Sequence, residues 1–487
     1  MSETLRIAIA QTNPRMAAVD ANAARLRALR AEAATLGADL LLTPEHALSG
    51  AVPAELAADP AFAAACEAAI ASLAAETAAG GPALILGAPW QDGPRLHDSI
   101  ALLEGGAIRA RRAAHDPRPG YDPGPAPGPV AFRGTRLGLM AGRDWRHPAT
   151  PETLAETGAE ILVALDSLPT EPEADEIRLQ AALARVVEND LPLILLNRLG
   201  AEEEQAHDGA ALILNADRTP ALRLPPFAES LTLTLTEWRR EAGQWRCTPQ
   251  PSALPMDPPE RLWRALLLAL RDHAAREEAS TILLPLDGSP ESALAALLAA
   301  DAFGAALIRI LLTEGEGEGP ALARRLNLSA TLLDLAPAAQ ALAAALPQSA
   351  PMLPHHLHQA AIDALAEATG ALPIVTGPSG APSAFAPLKH LPPTERRALA
   401  AWRNAHHPAG LLGPEAPGVP LTDALPDPPP VDSPAATLHD AAPLHRLWQS
   451  LARADYKRRQ APPGVKLGSR VPRHGRRSPN PDGPQAP

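Results

Sequence analysis

The sequence predicts an α/β protein: a layered N-terminal domain, a second domain built on a parallel sheet, and a largely irregular C-terminal tail. Three observations carry this reading. Short apolar runs alternate with helical stretches from Leu5 to about residue 250. A connector follows, Thr248 to Pro259, with five prolines in twelve residues. Beyond it the order helix, strand, helix, strand resumes. Strands separated by crossover helices are what parallel pairing requires, and 487 residues is room for two or three domains.

The elements follow in order. Leu5 to Ala10 reads as a strand, Asn22 to Leu36 as an Ala-, Leu- and Arg-rich helix, and Ala38 to Leu42 as a strand ending before Pro44. Helix Ala61 to Ala78, strands Ala83 to Gly87, Ser99 to Leu103 and Thr135 to Met140, helix Pro151 to Thr157 and strand Glu160 to Leu165 continue the alternation. Helix Glu173 to Glu188 and strands Pro192 to Asn197 and Ala210 to Leu214 complete the first domain, residues 1–247, with 248–259 as linker. The second domain, 260–425, opens with helix Glu260 to Ala275, strand Ser280 to Pro285, helix Glu291 to Phe303 and strand Leu307 to Leu312, a βαβ start. Helix Leu357 to Thr369 then leads into strand Leu372 to Thr376. Residues 426–487 are Pro-rich and basic, ordered only around a helix Ala442 to Tyr456.

Composition narrows the function classes. Aromatics are only 3% of residues, so the cores rest on Leu, Ile and Val. Two cysteines exclude a disulfide scaffold, and Met1 to Ala10 lacks the basic and long apolar regions of a leader, which together imply a reducing, cytoplasmic setting. Apolar runs such as Leu191 to Leu196 and Leu266 to Leu270 fall short of the roughly 20 residues that span a bilayer, so no membrane segment is expected. A net charge of −12 disfavours nucleic-acid binding by the body of the protein; the basic run from Lys457 through Arg477 reads as a solvated end. Only three lysines occur, Lys389, Lys457 and Lys466, so the first 388 residues hold none.

The segments Leu5 to Pro14 (LRIAIAQTNP), Gly37 to Gly50 (GADLLLTPEHALSG), Glu156 to Leu162 (ETGAEIL) and Tyr456 to Leu467 (YKRRQAPPGVKL) resemble the bacterial glutamine-dependent NAD(+) synthetases. Trp245 with Cys247, Phe385 to Leu391 and Trp402 to Asn404 fall in the same order. The resemblance implies a nitrilase-like αββα sandwich followed by a Rossmann-like domain of the adenine nucleotide alpha hydrolase type. The implied reaction turns deamido-NAD, ATP and glutamine into NAD, AMP, pyrophosphate and glutamate, with magnesium as cofactor and an oligomeric assembly.

Carried over residue by residue, the resemblance yields an incomplete site. The family hydrolyses glutamine with a Glu base, a Lys that steadies the oxyanion and a Cys nucleophile, because thiolate attack on an amide needs proton removal and a nearby cation. Glu45 matches the base, Ala114 stands at the Lys position and Gly142 at the Cys position. Arg111 or Arg112 could supply positive charge. Ser167, beside Asp166, lacks a placed base in the sequence reading, and a purely structural role for Glu45 would pair it with Arg143. Cys66 lies in an Ala-rich helix and Cys247 near the connector, neither on a strand-to-turn step.

In the second domain the family's pyrophosphate loop corresponds to Asp287-Gly288-Ser289-Pro290-Glu291-Ser292. Gly288, Ser289 and Ser292 keep a loop and a helix cap, while Asp287 brings negative charge and Pro290 removes an amide donor. The same stretch also reads as an ordinary turn before a capped helix. The family's Thr-Gly-Asn-x-Ser-Glu motif corresponds to Thr376, Gly377 and the residues through Ala381, which replaces a metal-binding Glu, so no metal site is assigned. His356 and His358 replace arginines without the converging ligands zinc needs. Three outcomes stay open: an ammonia-dependent synthetase, a noncatalytic binding or regulatory subunit that associates with an intact synthetase, or a drifting gene product that still folds.

Overall fold

The computed structural model describes residues 4–171, 173–202, 204–228, 233–312, 317–346, 353–376, 384–406 and 464–467. The chain divides into two compact units, Met1–Glu202 with Ala206–Asp257, and Glu203–Gln205 with the chain from Pro258 onward.

The first unit begins with β1 (Thr4–Ala10), α1 (Val19–Thr35), β2 (Leu40–Leu42), α2 (Ala54–Ala57), α3 (Pro60–Glu76), β3 (Ala83–Asp92), β4 (Arg95–Glu104) and β5 (Ala107–Ala113). It continues with β6 (Val130–Phe132), β7 (Thr135–Ala141), α4 (Ala149–Glu156), β8 (Ile161–Asp166), α5 (Ala174–Asn189), β9 (Leu193–Asn197), β10 (Leu199–Glu202), β11 (Gln205–Asp208), β12 (Leu212–Leu214), β13 (Pro220–Arg223), β14 (Leu233–Glu241) and β15 (Gln244–Cys247). Two large sheets result, in orders β15-β14-β1-β2-β3-β4-β5 and β13-β12-β9-β8-β7-β6, with β10 and β11 a separate two-stranded pair.

Period-two alternation sorts the side chains into layers. Ile7, Ile9, Leu40, Leu42 and Ile85 of one sheet share a buried cluster with Leu137, Leu139, Ile161, Val163 and Ile194 of the other. Their neighbours in sequence point the opposite way: Ala8, Ala10, Leu41, Leu84 and Leu86 pack with Leu26, Leu29, Ile70 and Leu73 of α1 and α3. On the far side Met140, Leu162, Ala164 and Leu195 pack with Ala182 and Val186 of α5. The unit is therefore a helix–sheet–sheet–helix sandwich. Small Ala8 and Ala10 under α1 let the helix approach, while branched residues fill the space between sheets.

In this unit the sequence reading missed β5, β6, β10, β11, β13, β14 and β15. β5 pairs antiparallel with β4 after the Gly105-Gly106 turn, and β14 pairs antiparallel with β1. Arg109, Arg111 and Arg112 of β5 and the Thr234 and fully buried Thr236 of β14 break up the apolar residues, which hides the strand period. The Ala-rich segment Pro60–Ala79, 20 residues, is long and apolar enough to cross a membrane by length and composition, a stretch the sequence reading passed over. Here it buries Cys66, Ile70, Leu73 and Ala74 in the helix–sheet layer, while its Glu67 and Glu76 pair with Arg111 and Arg27.

The second unit runs α6 (Pro258–Arg276), β16 (Ile282–Pro285), α7 (Pro290–Phe303), β17 (Ile308–Leu312), α8 (Glu318–Arg325), β18 (Ser329–Leu332), α9 (Ala336–Ala345), α10 (Leu353–Thr369), β19 (Leu372–Pro373) and α11 (Pro393–Ala405). Its sheet is wholly parallel, in the order β18-β17-β16-β19. The chain moves outward from β16 through β18 and then returns to β19 on the other side, so a topological switch point lies between β16 and β19. The strand expected over Leu372 to Thr376 is only two residues long, followed by a bridge from Ile374 to Phe385. The helix expected over Ala442 to Tyr456 lies outside the described residues.

A buried ion pair ties three helices of this unit. Asp301 of α7 accepts hydrogen bonds from Arg403 of α11 at 2.8 and 2.9 Å and from Trp263 Nε1 of α6 at 3.0 Å, with neither Asp301 nor Arg403 exposed to solvent. Removing one member strands the other charge in the core. Asp301→Ala is expected to lower the unfolding free energy of the second unit by about 3–5 kcal/mol, whereas exchanging both members for apolar residues of similar volume costs little. Denaturant titration with Trp263 and Trp402 fluorescence checks this.

Candidate functional site

Glu45 leaves the C-terminal end of β2, and its local path is fixed by backbone. Thr43 keeps the ladder through its N–H to Ile85 O at 3.0 Å, and the chain then crosses β3 at Gly87, where a Cβ would sit 2.6 Å from His46 N and 2.9 Å from Glu45 Cα. Only glycine permits that crossing. The C-terminal ends of parallel β7, β8 and β9 deliver Gly142, Asp166 with Ser167, and Arg198 to the edge where such sheets place their chemistry.

The Glu45 carboxylate is buried, and burial pushes it above the usual carboxylate range against the opposing charges of Arg118, Arg146 and Arg198 and the neighbouring Ser167 hydroxyl. Each of these arginines already has a carboxylate of its own. Arg118 binds Asp98 at 3.0 and 3.1 Å, Arg146 binds Asp166 at 3.1 and 3.2 Å, and Arg198 binds Glu202 at 2.7 Å. Arg118 also lies 4.9 Å from the Tyr121 ring centre, and the Tyr121 hydroxyl donates to Val52 O at 3.0 Å. Glu45 Oε2 is 3.3 Å from His46 Nε2. Burial, reinforced by Arg118, lowers His46 to about 3, so the imidazole is neutral and its Nε2 has no aligned partner.

Gly142 ends β7 with φ +54°, and a Cβ there would lie 2.5 Å from Glu45 Oε1 and 3.2 Å from its Cδ. The position matched to a nucleophile thus faces the retained base directly, and the carboxylate occupies the space a side chain would fill. Ala114 is buried, donating its N–H to Asp98 O at 2.8 Å and accepting from Gly124 at 2.7 Å, so it lies beside the Asp98–Arg118 pair. Both cysteines are buried in apolar clusters, and burial raises Cys66 to about 11 and Cys247 to about 12, which keeps the thiols protonated. In the second unit, Lys389 and Lys466 both pair with Glu204.

Three expectations need correction. Arg143 does not pair with Glu45; it donates to Asp116 at 2.9 Å and to Pro117 O. Arg111 binds Glu67 and Arg112 donates to Gly128 O, so the cations acting on Glu45 are Arg118, Arg146 and Arg198, which the sequence reading overlooked. Ser167 does have a base nearby, namely Glu45. The signal for Arg118 was its place three residues before Tyr121; nothing local marks Arg146. Among the described residues, Glu45, His46 and Asp98 are the His/Cys/Asp/Glu group whose ligand atoms lie within 4.8 Å of one another, yet Asp98 is already held by both Arg118 nitrogens, which disfavours a cation there.

In the second unit the loop after β16 lies beside the switch point, as does Thr376 after β19. Asp287 Oδ1 accepts from Ser289 N–H at 2.9 Å and from Ser289 Oγ at 2.6 Å, and Ser289 caps α7 by accepting from Ser292 N at 3.2 Å. The loop's own carboxylate therefore takes donors that a phosphate would use. Gly319 packs beneath it, where a Cβ would come 2.4 Å from Leu286 O. Gly377 and Ala381 lie outside the described residues.

A helix–sheet–sheet–helix sandwich with a buried Glu at a strand end defines a carbon-nitrogen hydrolase domain, and that family matches residues 6–234. Over the whole chain, the glutamine-dependent NAD(+) synthetase of Rhodobacter capsulatus is 30% identical, with 97% of each chain covered, and that of Xanthomonas campestris is 27% identical over 85% of this chain and 81% of its own. The chain belongs to the glutamine-dependent NAD(+) synthetase family. The fold agrees: the Acinetobacter baumannii synthetase, solved in complex with ADP, superposes with a TM-score of 0.79 at 21% identity over 98% of both chains. The Cytophaga hutchinsonii synthetase gives 0.74 at 14% identity over 96% of this chain and 95% of its own.

Two outcomes follow from this geometry. Gly142→Ala is expected to cost about 2–4 kcal/mol, from the left-handed backbone and the contact with Glu45, and to cost only about 1–2 kcal/mol in a Glu45→Ala background; a double-mutant cycle by thermal unfolding reads the difference. The second concerns Asp144, which burial raises to about 6 despite the N–H groups of Asp116 and His115 on its Oδ1 at 2.8 Å. With the folded value above the unfolded one near 4, its contribution is complete below pH 4 and lost as pH rises through 6. Between pH 4 and 7 the wild type should therefore lose about 3 kcal/mol relative to Asp144→Asn, measurable by denaturant titration at each pH.

Proposed function

We propose that this chain is a family member in which thiolate-based glutamine hydrolysis is lost, leaving a folded amidase scaffold joined to a nucleotide-binding domain. The observation that carries this is Gly142 facing Glu45 across the distance of a single side-chain atom. Without the thiolate, the base and local positive charge do not open glutamine by the family's route, and deleting a nucleophile costs many orders of magnitude in rate.

The same reading divides the chain at 1–247, 248–259, 260–425 and 426–487. It assigns Gly288, Ser289, Ser292, Thr376 and Gly377 to ATP phosphates from their correspondence to the family's loop motifs. The fit is poor at one point, since Asp287 engages the donors of Ser289. Weak nucleotide binding, little or no magnesium-dependent synthesis and association with an intact synthetase as a binding or regulatory subunit in the cytoplasm form one consistent role. A second reading, synthesis from free ammonia, is favoured by the capped α7 and its loop at the switch point.

Incubation of the full chain with ATP, magnesium and deamido-NAD(+), with either glutamine or ammonium, distinguishes them. With glutamine, neither glutamate nor NAD(+) is expected above a boiled control, and glutamate release would refute the loss of hydrolysis. NAD(+) and AMP formed with ammonium alone would select the second reading.

A further inference from the structure

We propose that Ser167 is an acyl-accepting nucleophile, with Glu45 as its proton acceptor, in a site that takes small activated acyl donors such as phenyl esters. This rests on the reading that the cysteine position is vacant, and it moves the acyl-accepting role from the end of β7 to the end of β8.

The placement comes from sheet register. β7 and β8 are parallel neighbours with Ala141 opposite Leu165, so the residues that follow, Gly142 and then Asp166 with Ser167, emerge at one edge. Gly142 abuts Glu45, and the Ser167 hydroxyl lies toward the same carboxylate without an aligned hydrogen bond. That Oγ is buried and has no competing partner. Catalytic hydrogen bonds are commonly loose until a substrate closes the site.

Both neighbours of Ser167 are held rigidly. Asp166 accepts from Trp145 Nε1 at 2.6 Å and from Arg146, and also from the Ser167 N–H at 2.7 Å. Leu168 exchanges two hydrogen bonds with the Asn197 side chain, at 2.7 and 3.1 Å. A buried hydroxyl whose neighbours are fixed on both sides, at the strand-end edge that Gly142 shares with Glu45, has the preorganisation that nucleophilic catalysis needs. Buried unpaired hydroxyls carry a cost, and a site that retains one keeps it available for a partner.

In the step itself the Ser167 Oγ–carbon bond forms as its proton passes to Glu45, the ester C–O bond breaks, and the phenolate leaves. Water then attacks the acyl-serine, its hydroxyl going to the acyl carbon and its second proton to Oγ as the carboxylic acid is released, and the proton held by Glu45 passes to solvent and restores the carboxylate. The charges of Arg118 and Arg146, which act on Glu45, supply the local positive field in place of the missing lysine.

The test uses the full chain and p-nitrophenyl acetate, following phenolate release and mapping the adduct by peptide mass. A burst of about one equivalent and an acetyl group on the peptide containing Ser167 are expected. Ser167→Ala should abolish both, and Glu45→Gln should slow the burst at least about tenfold. Ser167→Cys, which preserves size, should acylate at the same position and keeps the test decisive if the alanine variant does not fold. No adduct on folded protein, an adduct on lysine or the N-terminus only, or a burst unchanged in Ser167→Ala overturns the proposal. Glutamate release that depends on Ser167 would instead overturn the loss of glutamine hydrolysis while leaving this assignment standing.

Discussion

The pocket of the first unit depends on the burial of one carboxylate, Glu45, among three arginines that are each already committed elsewhere. A buried charge without its own counter-ion is costly, and the protein meets this by raising the affinity of Glu45 for a proton rather than by giving it a dedicated partner. Asp98 on β4, Asp166 at the end of β8 and Glu202 on β10 take the arginines, so their ion pairs brace the ends of several strands around Glu45. Neutral His46 at 3.3 Å fits the same economy of charge.

The second unit handles buried charge in the opposite way. Asp301 receives two guanidinium bonds and an indole bond, so its charge is fully satisfied and its role is to lock α6, α7 and α11. The contrast separates a structural pair from a site: complete partnership leaves nothing for a ligand, whereas Glu45 and Ser167 keep capacity in reserve. The loop at Asp287 lies between these cases, because its donors are engaged by a residue of the loop itself rather than by a distant element.

Much of the fold was legible because layer position follows from strand period. Ile7 and Ile9 against Ala8 and Ala10 already say which face meets the other sheet and which lies under a helix. β5, β14 and β15 were not legible, since Arg109, Arg111, Thr234 and Thr236 interrupt the apolar pattern, and the edge strands β5 and β15 need only one covered face. In the site, Glu45, Ala114 and Gly142 could be placed from short motifs. Arg146 and Ser167 could not, because their convergence on Glu45 is set by the order of strands in two sheets and leaves no local signature; for Arg118 the one local signal was its place before Tyr121.

Replacing an ammonium by guanidinium groups changes what such a pocket can do. A lysine beside a reacting carbonyl is a compact charge with rotatable donors, free to follow an oxygen as it becomes anionic. Arg118 is planar, held at two nitrogens by Asp98 and spread against the Tyr121 ring, so its charge is partly neutralised and two of its nitrogens are already engaged. The field at Glu45 survives while directed stabilisation of an oxyanion is weakened. A hydroxyl nucleophile in that setting favours acyl donors with good leaving groups, whose transition states carry less charge on the carbonyl oxygen, over unactivated amides.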